Sequence, residues 1–297
     1  MITKSMETNP FIILCYGNNP STPGRFLVDG LRKIKQPVTV IHETVDFGKV
    51  NLANCLAILF IDCPSRPPIQ VFNLHLTKKI PKLFWTYHGI HLLKSNLNLI
   101  KIYRVNHILM SSCLDLKKQF FGLPVDFFPL AAPDNYVQKK IFLCNRSIDI
   151  SFVGNLKGNL YLERKKSLQT IKSTFPTANT IFTSGLYLKD LVNCYQNSKI
   201  VYNDSVNQTM TLRIFEGIAT GALVISDSVP EQDLVLTPGQ HYVRYHNAAE
   251  KLAMIDYYLK NVSQAQNIAD HGHLWVKSNH LFSNRARQLM DLVHRLR

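Results

Sequence analysis

Short runs of apolar residues with almost no polar alternation recur along this chain, and they restrict it to sheets buried on both faces. In the first half the runs are Phe11–Tyr16, Val38–Ile41, Leu56–Ile61, Leu83–Tyr87, His107–Met110 and Val125–Pro129. A strand with one face in water alternates apolar and polar residues. A continuous apolar strand needs a layer above and below it, as in a parallel sheet whose crossovers are helices. Ser21-Thr22-Pro23-Gly24 precedes a helix expected over about Arg25–Ile34, with Ser or Thr as N-cap and Pro in the first turn. A proline-rich stretch, Pro129-Leu-Ala-Ala-Pro133-Asp-Asn-Tyr136, then interrupts the pattern, which restarts at Asp149-Ile-Ser-Phe-Val-Gly154. Later strands are expected near Thr180–Thr183, Lys199–Tyr202, Leu223–Ser226 and His241–Arg244, with three helices after Ala248. The expected class is α/β: two doubly wound, Rossmann-like domains whose parallel sheets face a central cleft. The first spans 1–132, a linker 133–148 and the second 149–280, with a terminal helix at 281–297 free to return to the first domain.

Size agrees with two domains, since 297 residues with 46% apolar content can bury two ordinary cores. No run of about 18 uncharged apolar residues is present, so no transmembrane segment is expected. The opening MITKSMETNPFIILCYG suits a first strand better than a signal peptide. The six cysteines, at 15, 55, 63, 113, 144 and 194, are scattered without a CxxC or nearby histidines. That spacing suits reduced core thiols in a cytoplasmic protein and implies no metal site. The net charge of +14 favours a polyanionic partner: nucleic acid, an anionic glycan, or an acidic membrane surface met peripherally at its inner face. No zinc-finger spacing, RNP-type aromatic motif or basic tail accompanies it, and the densest basic run is only Arg164-Lys165-Lys166.

Chemistry concentrates between Ile200 and Glu231. An apolar strand, Ile200–Tyr202, leads through a polar loop into a helix that stops at Gly221 before a strand over Ala222–Ser226. Thr209, Arg213, Glu216 and Thr220 are spaced four, three and four apart and so share one helix face, with Leu212, Phe215 and Ala219 opposite. The helix starts at the carboxyl end of a strand, where doubly wound folds bind phosphorylated ligands. Arg213 is either a surface ion-pair partner of Glu216 or a planar cation for a diphosphate; Glu216 could read a ribose diol. The loop Gly154-Asn155-Leu-Lys-Gly158 follows a strand, and its glycines let backbone N–H groups face an anion. Arg164, in the next helix beside two lysines, has the look of a solvated face, although it too could reach a phosphate.

The order Asn207, Arg213-Ile-Phe215-Glu216, Ala219, Gly221, strand, Asp227, Glu231, Gly239 resembles the donor-domain signature of GT-B glycosyltransferases. It is most similar to the branch typified by the bacterial spore-protein glycosyltransferase-like domain. With the strand-loop-helix at Asp149–Thr170 and the helices up to the terminal Arg-containing one, the resemblance covers about half the chain. It implies a metal-independent transferase that takes a nucleotide-diphospho-sugar, foremost a UDP-sugar, and no other cofactor. Gly154, Asn155, Gly158, Arg164, Asn207, Thr209 and Arg213 would hold the donor's nucleotide part, Glu216 its ribose, and Asp227 and Glu231 its sugar hydroxyls. Two departures stand out. Gln208 occupies the place where many retaining members have a second Glu, and no DxD motif appears, which disfavours metal-dependent chemistry of the other glycosyltransferase fold. The implied acceptor is a surface glycan, a lipid-linked sugar or a hydroxylated DNA base. In the first domain His88, in the loop after the fourth long strand, is the first candidate for the base that deprotonates it. Asp62, at the end of Leu56–Ile61, is the second. Gly17-Asn18-Asn19 either lines the acceptor site or simply turns the chain. The rival is a non-catalytic polyanion- or nucleotide-binding protein on a degenerate GT-B scaffold.

Overall fold

A computed structural model describes residues 9–19, 21–62 and 68–297; of the cysteines, Cys63 lies outside these. The chain forms two compact units, Met1–Phe128 with Phe282–Arg297, and Pro129–Leu281.

In the first unit, β1 (Phe11–Cys15), α1 (Pro23–Lys33), β2 (Val38–Ile41), β3 (Thr44–Asp46), β4 (Cys55–Ile61), β5 (Gln70–Phe72), β6 (Lys82–Thr86), α2 (Leu93–Ile102), β7 (His107–Met110) and β8 (Val125–Phe127) follow in order. Thr22 caps α1, its hydroxyl accepting from the Arg25 N–H, and Pro23 occupies the first turn. Six strands form one parallel sheet in the order β2-β1-β4-β6-β7-β8; β3 and β5 pair separately, also in parallel. Every residue of β4 and of β6 is buried, as a central strand covered on both faces requires. The two-strand ribbon was not expected from the sequence, because three residues are too few to show a period.

The second unit continues with β9 (Ile148–Val153), α3 (Leu162–Thr174), β10 (Thr180–Thr183), α4 (Leu188–Gln196), β11 (Ser198–Asn203), α5 (Leu212–Ala219), β12 (Leu223–Asp227), β13 (Val243–Tyr245), α6 (Ala248–Lys260) and α7 (Val262–Asn279). Its five strands are parallel in the order β10-β9-β11-β12-β13. The last helix, α8 (Phe282–Arg295), belongs to the first unit, where it packs on α1. A Cβ at Gly30 of α1 would overlap the Phe282 carbonyl, so this approach needs glycine.

Both sheets reverse direction once, between β1 and β4 and between β9 and β11. Loops leaving the carboxyl ends of the strands on either side of such a reversal diverge and leave a crevice, the usual ligand site of open α/β sheets. Behind the second reversal, buried Arg146 ties three segments together. Its guanidinium donates to the carbonyls of Ile141, Tyr195, Ser198, Thr220 and Gly221 over 2.7–3.2 Å. Tyr195 closes α4, and Thr220 and Gly221 close α5, so one side chain satisfies carbonyls that helix ends leave unpaired. Gly221 turns the chain there with φ of 74°.

Candidate active site

In the second unit the strand ends at the reversal meet at Arg213. This residue lies in the first turn of α5, where the helix N–H groups point out of the helix unpaired. Its Nε donates to the carbonyl of Val153, the last residue of β9 (2.9 Å), and its Nη1 to Oδ1 of Asn203, the last residue of β11 (2.7 Å). The guanidinium thus bridges the two strand ends that flank the reversal. It also lies 4.1 Å from the centre of the Phe152 ring. A Cβ at Gly154 would overlap the Arg213 Nη2, so glycine there is a condition of the arrangement. The two acceptors are neutral oxygens. A buried cation whose hydrogen bonds go to neutral groups keeps its charge for an anionic ligand.

Arg164 adds a second buried cation. It donates to the carbonyls of Asn155 (3.2 Å) and Asp204 (2.6 Å), and its guanidinium lies 5.3 Å from the Phe152 ring. Burial first, and the Arg213 charge second, lower its pKa. The expectation of a solvated face is therefore corrected. Arg164 shares a helix face with Leu168 and Ile171, at i+4 and i+7, and all three are buried.

Glu216 follows Arg213 by one turn and is also buried, so the pair is not a surface ion pair. Burial pushes its carboxyl up to about 7, and the Arg213 charge opposes that rise. Thr209, expected on the same helix face, precedes α5, because Thr211 is extended (φ −112°, ψ 154°) and the helix starts only after it; Asn207 and Gln208 take left-handed φ of 53° and 52°. Both are exposed, whereas Thr209 is buried. Asn155 closes a turn, its Oδ1 accepting from the Lys157 N–H at 2.9 Å. Gly158 has φ of 87° and open space about its Cα. Asp227, at the end of β12, accepts from the Ser205 N–H at 3.1 Å and from the Ser205 hydroxyl, so it braces the loop after β11. Burial raises its pKa. Glu231 is buried in the turn Pro230–Leu234. Sequence reasoning missed Asn203, which also accepts from the Thr211 hydroxyl and donates to Ser226 Oγ, both at 2.8 Å. Its signal was an Asn ending an otherwise apolar strand beside the motif.

In the first unit the two candidate bases form one pair. The His88 Nδ1 lies 2.9 Å from Asp62 Oδ1. The other Asp62 oxygen accepts from the Thr86 hydroxyl (3.1 Å), the Tyr87 N–H (3.2 Å) and the Asn96 amide (3.2 Å). Asp62 is 1% exposed, and both of its oxygens are engaged within the unit, one of them with His88. A carboxylate on Nδ1 holds the proton there and leaves Nε2 as the basic nitrogen. Asp62 follows β4, one of the strands flanking the reversal in this sheet. After β1, Gly17 and Asn18 line a cavity of about 260 Å³ with His42, Glu43, Thr44, Pro68 and Gln70. Asn19 turns the chain, its Oδ1 accepting from the Ser21 N–H at 3.0 Å.

Comparison with known proteins bears on the fold. A family model described as glycosyl transferase-like matches residues 145–291. No curated protein matches the sequence. Among solved structures, an alpha-glucosyltransferase in complex with UDP and a 13-mer DNA containing an HMU base superposes with a TM-score of 0.68 at 11% identity, over 96% of this chain and 100% of that one. Sucrose-phosphate synthase from Thermosynechococcus elongatus gives 0.66 at 11% identity, over 97% and 99%. The HepE protein of Anabaena, in complex with UDP and glucose, gives 0.63 at 10% identity, over 97% and 100%. The fold is that of GT-B glycosyltransferases, and residues 145–291 are the part similar to the glycosyl transferase-like family.

Proposed function

We propose that this chain, with its GT-B fold and its glycosyl transferase-like second half, moves a sugar from a nucleotide-diphospho-sugar to an acceptor hydroxyl. The observation that carries the reading is Arg213, a buried guanidinium bridging the ends of β9 and β11 through neutral oxygens only. A diphosphate is the anion that suits it: two phosphates can meet Arg213, Arg164 and the N–H groups at the start of α5 together. Glu216, one turn on, takes the ribose diol. These groups supply positive charge without a metal, so donor binding is metal-independent. UDP is the foremost nucleotide, since two of the structures with this fold hold it. His88 Nε2 removes the acceptor proton as the acceptor oxygen bonds the anomeric carbon. The bond from that carbon to the diphosphate oxygen breaks, and its electron pair leaves on the nucleotide, where Arg213 offsets the growing charge. The acceptor is a surface glycan, a lipid-linked sugar or a hydroxylated DNA base.

Release of UDP from UDP-sugars in the presence of EDTA tests this. A transferase without its acceptor hydrolyses one donor slowly. With an acceptor present, His88→Ala should lower turnover by about 100- to 10,000-fold while donor affinity stays. No release from any nucleotide sugar, or release only with added magnesium or manganese, contradicts the reading.

A further inference from the structure

The two units do not share the chain's charge. The first holds 19 Lys and Arg against 8 Asp and Glu, which is +11 of the +14; the second holds 15 against 12, which is +3. Within the first unit the excess gathers at one end. Parallel strands all begin at the same edge of their sheet, and backbone bonds from Ile12 to Pro37, Ile58 to Pro81, Asn106 to Lys82 and Ile108 to Pro124 bring the turns entering them side by side. The segments 33–37, 48–54, 76–82, 101–106, 117–124 and 294–297 contain no Asp or Glu. Lys35, Lys78, Lys79, Lys101 and Arg104 are exposed there. Three large apolar side chains stand among them: Leu76, Ile102 and Phe121, which are 51, 53 and 50% exposed. They flank the entries to β6, β7 and β8, adjacent strands in the sheet, and the Lys101 ammonium lies 4.6 Å from the Phe121 ring centre. This edge is opposite the one that carries Asp62, which follows the carboxyl end of β4.

We infer that this amino-terminal edge of the first unit rests on an anionic lipid bilayer. An excess of cations, in which Asp126 at the start of β8 is taken up by His107 at 2.6 Å, matches the negative surface of such a membrane, and each cation adds to binding while it stays within a Debye length. The apolar residues select among polyanions. Proteins that hold single-stranded nucleic acid interleave their cations with aromatic stacking platforms. Here two of the three exposed groups are aliphatic; they offer a base no π-face but can enter the boundary between headgroups and acyl chains. The end of the sheet that holds His88 and Asp62 is left open. The inference stands independently of the donor assignment.

Flotation of the full chain with vesicles tests it, using phosphatidylcholine alone and with about one-third phosphatidylglycerol. The chain should float only with the anionic vesicles. Lys78→Ala with Lys79→Ala should weaken that binding by about thirtyfold. Ile102→Ser with Phe121→Ser should remove the part of the binding that survives raised salt. UDP titration of both variants should match the unaltered chain, which shows that they are folded. Equal flotation with phosphatidylcholine alone, or binding indifferent to both pairs of substitutions, overturns the inference. Tighter binding to duplex DNA or single-stranded RNA than to the anionic vesicles also overturns it, in favour of a nucleic acid. Flotation without any UDP binding would leave the membrane inference standing and remove the donor reading.

Discussion

Glu216 is the residue whose ionisation the proposed ribose contact would use. With its pKa raised to about 7 by burial, it is largely protonated at pH 6 and largely ionised at pH 8. Two effects follow, with opposite signs. In folding, a raised acid pKa stabilises the native chain below the unfolded value, and that contribution is lost as pH rises to about 7. In binding, a ribose diol donates to the carboxylate, so affinity rises over the same window. Uridine, which has no phosphate to titrate, should therefore bind about tenfold tighter at pH 8 than at pH 6, and Glu216→Gln should flatten the profile. An unchanged slope in that variant would place the titrating group elsewhere. Glu216 and Arg213 were legible as a pair because a helix puts i and i+3 together. The pairing of His88 with Asp62 was not, since it spans 26 residues and depends on β4 lying next to β6.

The elements themselves were legible where hydrophobic period alone decides them. Buried parallel strands such as β4 show as unbroken apolar runs, and α5 is announced by its glycine stop. Spacing could not show where α5 begins, because the four-three-four pattern passes through the extended N-cap Thr211 without registering its backbone angles. Arg146 was equally silent: an arginine before a strand looks like a solvated linker residue, yet it is 3% exposed and satisfies five carbonyls. Burial pulls its pKa down to about 10, a cost that those carbonyls offset. Arg146→Leu should destabilise the chain by at least about 3 kcal/mol, because several buried acceptors lose their donor at once. Thermal or urea unfolding checks this, and a loss below about 1 kcal/mol would show that water replaces the guanidinium.

At the scale of the molecule, both units repeat one topology but carry different loads. The second sheet's reversal holds two buried arginines, Arg213 bonded to neutral oxygens and Arg164 also 3.5 Å from an Asp204 carboxylate oxygen, and the first holds an imidazole paired with Asp62. Most of the net charge lies in the first unit, at the edge away from that imidazole. Composition predicted an anionic partner but could not locate it, because the cations come from turns far apart in sequence that only the parallel sheet aligns. The return of α8 to the first unit rests on a glycine contact with α1 that no periodicity reveals. On the reading proposed above, the second unit binds a nucleoside diphosphate through Arg213 without metal. Calorimetry of UDP and of uridine in EDTA, with the unaltered chain and with Arg213→Ala, tests it most directly. The substitution should weaken UDP by about 1.5–3 kcal/mol, roughly 10- to 150-fold, and leave uridine nearly unchanged. No UDP binding in EDTA, or equal loss for UDP and uridine, would contradict it.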